Sequence, residues 1–263
     1  RVAEAGQDPL LTVVSLTFLV VFGLKAGLLL FFWLPGSYSV PPTAVQALFA
    51  ALLTKVGMYA LFRTFMLMFP LQPEITHTII GVMAGATIIA GCMGAFAGRD
   101  VRTIATYNVI ISVGFILVAL AVGTEDAMAG AVYYLVHDML GKALLFLLIG
   151  TMILVTGEVV VKNMNGLIRI YPLFGWIFFI MMCALVGIPP LSGFIGKVLI
   201  GQGAIETESY VLLALAFGSS IIVMYSLLRI FLASFFGETS INEEDKMPIP
   251  RGAMASFIIL AIF

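Results

Sequence analysis

The stretch YYLVHDMLGKALLFLLIG, from Tyr133 to Gly150, decides how this chain is read. It is apolar enough to lie in a bilayer, yet it carries His137, Asp138 and Lys142. A helix crosses the hydrocarbon core with about 20 apolar residues, and the run over 127–156 is long enough. An ionisable group at the bilayer centre costs about 2.5–3.5 kcal/mol on insertion scales. A segment that keeps an amine there either shelters it or uses it.

The rest of the chain repeats the pattern. Hydrophobic residues make up 62% of the 263 and charged residues 10%, with a mean hydropathy of +1.15. Soluble domains are about half apolar and a quarter charged, so this chain has too little polar surface to coat a globule in water. An integral membrane protein is expected, and because backbone groups in lipid must be satisfied internally, an all-α one. Candidate spans fall at about 10–32, 43–68, 75–97, 103–122, 127–156, 171–200 and 209–235, with an eighth starting near 252. They form a single transmembrane domain over 1–263. The polar, proline-containing segment 237–252 reads as a loop.

Other function classes find little support. A net charge of -1 without a Lys/Arg cluster gives no basis for a nucleic-acid partner. Cys92 and Cys183 stand far apart in apolar runs and match no metal or redox spacing. No nucleotide loop, nucleophile elbow, zinc spacing or haem motif occurs, so no catalytic residue, metal or cofactor is expected. The opening RVAEAGQDP does not read as a signal peptide. The chain starts without Met and stops within the apolar ASFIILAIF, which suggests a piece of a longer protein.

Loop charges set the expected orientation. If helix ends alternate sides, Arg1 and Arg63 share one side. Arg99, Arg102, Lys162, Arg169, Arg229, Lys246 and Arg251 share the other, which the positive-inside rule makes cytoplasmic, with 237–252 as a cytoplasmic loop. Lys25, Lys55, Lys142 and Lys197 fit no loop.

Two stretches read as interrupted helices. FFWLPGSYSVPP (Phe31–Pro42) follows Lys25, and GIPPLSGFIGK (Gly187–Lys197) sits inside the 171–200 span. Proline removes a backbone donor and clashes with the preceding turn, so breaks are expected at Pro35 and at Pro189–Pro190. The first stretch also reads as a plain loop. Broken helices in transporters open backbone groups to an ion path near the midplane.

The lysines carry the chemistry. Lysines near helix ends reach the headgroups by their long stems, and Lys197 is the nearest to such a place. Lys25, Lys55 and Lys142 have apolar sequence for many positions on both sides. Burial disfavours a charged amine and a neighbouring carboxylate favours it, so a lysine held between the two effects exchanges protons readily. Histidine already titrates near neutral pH. His137 and Lys142 lie about 7.5 Å apart along a helix axis but on different faces, so a water could link them or each could serve a different neighbour. Asp138 reads equally as a counter-charge within its span or as a contact to a neighbouring helix. Thr54 and Ser192 offer hydroxyls to a hydrated path, although such groups usually bond to a helix carbonyl. The small residues of GVMAGATIIAGCMGAFAG suit close helix packing.

Taken in order and spacing, LKAGLLLFFWLPGSYSVPP, ALFAALLTKVGMYALFR, YYLVHDMLGKALLFLLIG and GIPPLSGFIGK resemble the proton-translocating antiporter-like membrane subunits. That family includes the large subunits of Mrp-type sodium/proton antiporters, with their D-type subunits most similar, and the L, M and N membrane subunits of respiratory complex I. The resemblance implies the C-terminal half of a fourteen-helix fold with inverted repeats and broken helices. Residues 1–70 would end the first repeat and 71–236 would form the second. It implies proton translocation along Lys25, Lys55, His137, Lys142 and Lys197, with Lys25 and Lys197 on the two broken helices. It also implies a glutamate on an earlier helix as the partner of Lys25. The expected function is that of a subunit of a multisubunit sodium/proton antiporter in a bacterial plasma membrane, with other membrane subunits, protons and Na+ as partners. A non-redox subunit of NADH:quinone oxidoreductase or of a membrane-bound hydrogenase is the alternative.

Overall fold

The computed structural model describes residues 9–68, 73–238 and 249–262. Among these residues the regular structure is helical: α1 (Pro9–Ala26), α2 (Trp33–Ser39), α3 (Thr43–Arg63, extended by a π turn over Thr64–Met68) and α4 (Pro73–Ala97) come first. Then follow α5 (Val101–Val122), α6 (Glu125–Thr156), α7 (Leu167–Ile170), α8 (Pro172–Val186), α9 (Gly193–Glu206), α10 (Tyr210–Phe235) and α11 (Arg251–Ile262). Five spans, Thr43–Leu67, Ile75–Ala97, Val101–Val122, Glu125–Thr156 and Tyr210–Phe235, are long and apolar enough to cross a membrane. The fold is that of a multi-pass α-helical membrane protein.

Helix ends fall where the local chemistry stops them. Asp100 caps α5 by accepting from the Arg102 amide, and Thr124 caps α6 by accepting from the Ala127 amide. Both helices end on a left-handed glycine, Gly123 and Gly157. A residue with a Cβ would be strained at such a φ.

The two expected interruptions are real but differ in position. The first falls at Gly27–Phe32, with positive φ at Gly27 and Leu29, and Pro35 lies beyond it in the first turn of α2. Pro35 therefore does not break the helix. In a first turn its missing N–H has no intrahelical partner to lose. Two of the break's amides find partners on the helices beside it: Leu28 donates to Gly23 O of α1, and Leu29 to Thr87 Oγ1 of α4 at 2.7 Å. The second break separates α8 from α9 and contains Pro189 and Pro190, joined by a cis peptide bond. Beyond it α9 continues to Glu206, past the expected end of the span.

α5 is the central helix, with 89% of its most apolar window buried against 28% for α10. Its surface carries Val and Ile on every side, which suits a helix enclosed by others. The small residues of α4 let α5 approach closely. A Cβ on Gly94 would run into the Tyr107 ring, and one on Gly91 would come within 2.8 Å of Ile111.

Arg99, Arg102, Lys162, Arg169 and Arg229 gather at one end of the bundle. There Asp100 bridges Val160, Arg102 donates to Ser39 O, and the Gly166 amide donates to Phe236 O. Arg63 stands at the other end of α3, as the charge count requires. Arg1, Lys246 and most of 237–252 lie outside the described residues.

Candidate functional site

The apolar interior is split into two clusters. One holds Ala47 and Ala50 of α3, Val101–Ile111 of α5, Leu144–Met152 of α6 and Val223–Phe235 of α10. The other holds Met58 and Leu61, Val113–Val122, Ala127–Tyr134 and Ala216 from the same helices. Between them runs a polar layer: Thr54 and Lys55 on α3, Ser112 on α5, His137, Asp138 and Lys142 on α6, and Ser219 and Ser220 on α10. Ser112 is about midway along α5, so the layer lies at mid-depth. The helical rise brings these residues to one level because each is roughly nine to fourteen residues from a helix end, about 14–21 Å at 1.5 Å per residue.

Asp138 is the hub of the layer. Its Oδ2 lies 2.7 Å from Lys55 Nζ and its Oδ1 lies 3.8 Å from Lys142 Nζ, one turn further along α6. All three side chains are buried. Both readings of Asp138 thus hold at once: it counters a charge on its own helix and contacts a neighbouring one. Lys55 also donates to Ala50 O at 2.9 Å, one turn back on α3. Lys142 is 1% exposed and makes no hydrogen bond among the described residues; the 3.8 Å contact to Asp138 is its only ion pair there. A buried ammonium keeps its charge only with close compensation, so Lys142 is the least firmly held of the buried amines.

Lys197 is held differently. Its Nζ donates to Val186 O at 2.7 Å, Leu185 O at 3.3 Å and Ser220 Oγ at 2.8 Å. An ammonium has three protons, and here each has an acceptor. Two acceptors are unpaired carbonyls at the C-terminal end of α8, where the helix dipole favours a cation. The stem lies over Gly187, at which a Cβ would come within 2.9 Å of Lys197 Cδ. Lys197 is thus buried at the break, not extended to the headgroups.

His137 connects the two groups. Its Nδ1 lies 2.8 Å from Ser192 Oγ in the break, while its ring is 5.5 Å from that of Tyr134, which in turn lies under the Lys197 ammonium. Ser192 therefore bonds to a side chain, not to a helix carbonyl. His137 has no bond to Lys142. A cavity of about 280 Å³ borders His137, Ser192 and Pro190 and reaches Leu260 of α11, with room for several waters. Thr54 Oγ1 is buried in the layer without a hydrogen-bond partner among the described residues.

Lys25 stands apart. It is the penultimate residue of α1, its side chain is exposed, and among the described residues it makes no ion pair or hydrogen bond. Gly57 of α3 packs against its backbone, since a Cβ there would come within 2.8 Å of Lys25 C. Sequence reasoning had no ground for selecting Ser112 or Ser220. A lone serine in an apolar helix has no signature until the neighbouring helix is placed.

A bundle of apolar helices around a buried, charged layer at mid-depth is an ion-handling type of membrane protein. The chain matches the family described as NADH:quinone oxidoreductase/Mrp antiporter, TM, over residues 3–243, and it belongs to that family. It is 46% identical to the D-type subunit of the Na(+)/H(+) antiporter of Bacillus subtilis, over all of this chain and 53% of the relative. It is 44% identical to the putative antiporter subunit mnhD2 of Staphylococcus aureus over the same shares. The chain thus spans about half the length of the curated relatives it matches. Among solved structures it resembles one in the Mrp complex from Dietzia sp. DQ12-45-1b, with a TM-score of 0.85 and 29% identity over 89% of this chain and 44% of that one. It also resembles a chain of respiratory complex I from Thermus thermophilus, with a TM-score of 0.82 and 28% identity over 95% and 52%.

Proposed function

We propose that this chain forms part of a proton-conducting subunit of a multisubunit sodium/proton antiporter in a bacterial plasma membrane, and is not itself an enzyme. The observation that carries this reading is Lys142, buried at mid-depth with only a 3.8 Å contact to the carboxylate that it shares with Lys55. A proton leaving Lys142 leaves Asp138 paired with Lys55 alone; a proton returning draws the second carboxylate oxygen toward Lys142. Such a hub couples one amine's charge to the next without moving a helix. His137 and its cavity would bring protons to the layer by water, and Lys197 with Ser220 would be the station at the second break.

Residues 1–70 would close one repeat and 71–236 form the next. A broken helix in each supports this, although Lys25 precedes its break and Lys197 follows its own. The open face of Lys25 suits a carboxylate from the part of the longer relatives that this chain does not cover. Sodium/proton exchange is the reading that the name of the Bacillus subtilis relative favours, and the name of the Staphylococcus aureus relative also gives an antiporter subunit. The test is proton-gradient-driven sodium transport by the intact complex with Lys142→Ala or Lys25→Ala. Loss of transport at normal expression is expected; unchanged transport sinks the assignment.

The second reading is a redox-driven pump, favoured by likeness to chains of complex I and of an archaeal membrane-bound sulfane sulfur reductase at a TM-score of 0.88. Copurification separates the two. Flavin and iron–sulfur subunits would accompany a pump of that kind, and small membrane subunits alone would accompany an antiporter.

A further inference from the structure

At the basic end of the bundle, away from the polar layer, a cavity of about 540 Å³ opens between the α4–α5 loop, the turn after α6, and α10. Three cations line it: Arg99, Lys162 and Arg229. Arg99 and Lys162 are exposed and have no ion pair or hydrogen bond among the described residues. Arg229 is cornered. Its terminal nitrogens donate to the carbonyls of Phe96, Ala95 and Gly98 at the C-terminal end of α4, while its Nε is buried without a hydrogen-bond partner among the described residues. Two carboxylates lie nearby, Asp100 accepting from the Arg102 amide and Glu158 from Asn163 Nδ2, and neither makes an ion pair with these cations among the described residues.

Positive charge at a cytoplasmic surface is ordinary. A cavity that concentrates three cations, two of them exposed and unpaired among the described residues, is not. Below it, the seam between α4 and α10 carries Met93, Phe96, Ile221 and Tyr225, all well exposed. The Phe96 and Tyr225 rings stack 5.4 Å apart, and Tyr225 lies 5.9 Å below the Arg229 guanidinium. The site therefore offers anion recognition at the surface and an apolar bed running into the membrane.

We infer that this cavity seats the phosphate of an anionic phospholipid, with its acyl chains lying along the α4–α10 seam. Arg99 and Lys162 supply exposed charge, and the Arg229 guanidinium, fixed on the α4 carbonyls, adds a third positive charge to the wall. Basic pockets between helices on a cytoplasmic face are a known means of holding such headgroups. The inference does not depend on the transport reading, because no residue of the polar layer takes part.

The whole complex, purified in mild detergent and stripped of lipid, is titrated with dioleoyl phosphatidylglycerol or dioleoyl phosphatidylcholine, and bound lipid is counted by native mass spectrometry. Phosphatidylglycerol is expected to bind more tightly than phosphatidylcholine. Arg99→Gln with Lys162→Gln should weaken it by about fivefold for each charge removed, leaving phosphatidylcholine unchanged. Arg63→Gln with Arg169→Gln, an equal loss of charge outside the cavity, should leave both lipids unchanged. If the double variant fails to assemble, Lys162→Gln alone carries the test, since it changes only an exposed turn. Equal binding of the two lipids, or full retention of phosphatidylglycerol by the variants, overturns the inference. So does complete displacement by millimolar inorganic phosphate, which would make the seat one for free phosphate.

Discussion

Lys55 Nζ and Asp138 Oδ2 meet at 2.7 Å between α3 and α6, with side chains 2% and 0% exposed. Breaking a buried pair by removing one partner costs about 3–5 kcal/mol, because the other charge is left uncompensated. Asp138→Asn leaves two amines in that condition, so the complex should lose thermal stability as well as transport. Adding Lys55→Met should restore part of the stability and none of the transport. A melting curve and a sodium-flux assay on the same preparations distinguish the two effects.

Lys142→Met should behave differently from Lys55→Met. Removal of Lys142 leaves Asp138 paired with Lys55, so stability should change by about 1 kcal/mol or less while transport is abolished. Removal of Lys55 takes away the close partner and should cost several times more. Equal destabilisation by the two substitutions would contradict the unequal distances of 2.7 and 3.8 Å.

Gly193→Ala puts a methyl group into the contact among Gly193, Ala184 O and His137 Nε2. Overpacking of this kind costs about 1–3 kcal/mol, and here relief would come from opening the break or turning the imidazole away from Ser192. Transport should fall at least tenfold. Gly218→Ala, where nothing lies within 4 Å, is the control and should be silent.

Ser220→Ala removes one of the three acceptors of the Lys197 ammonium. A hydrogen bond to a charged group contributes about 1.5–3 kcal/mol, so this small change should lower transport and stability measurably. Ser220→Thr keeps the hydroxyl and should rescue both. Failure of threonine to rescue at normal expression would show that the bond to Lys197 is not what matters.

Hydropathy and length alone determined the helical membrane class, and four apolar runs with an amine inside them marked Lys25, Lys55, Lys142 and Lys197. These are properties of the chain in one dimension: burial of a long apolar run and the cost of a charge within it. Pro189 and Pro190 signalled their break for the same local reason. Pro35 misled, because the rule for proline depends on its place in a helix, and the turn at Gly27–Leu29 set the actual break. Tertiary structure decided what the charges do. That Asp138 lies between Lys55 and Lys142, that Lys197 closes the end of α8, and that Ser112 and Ser220 join the layer all depend on how helices are rotated and staggered against one another. Sequence spacing fixes faces within one helix; only packing sets which faces meet, and at distances of a few ångströms that choice separates a paired charge from a loose one.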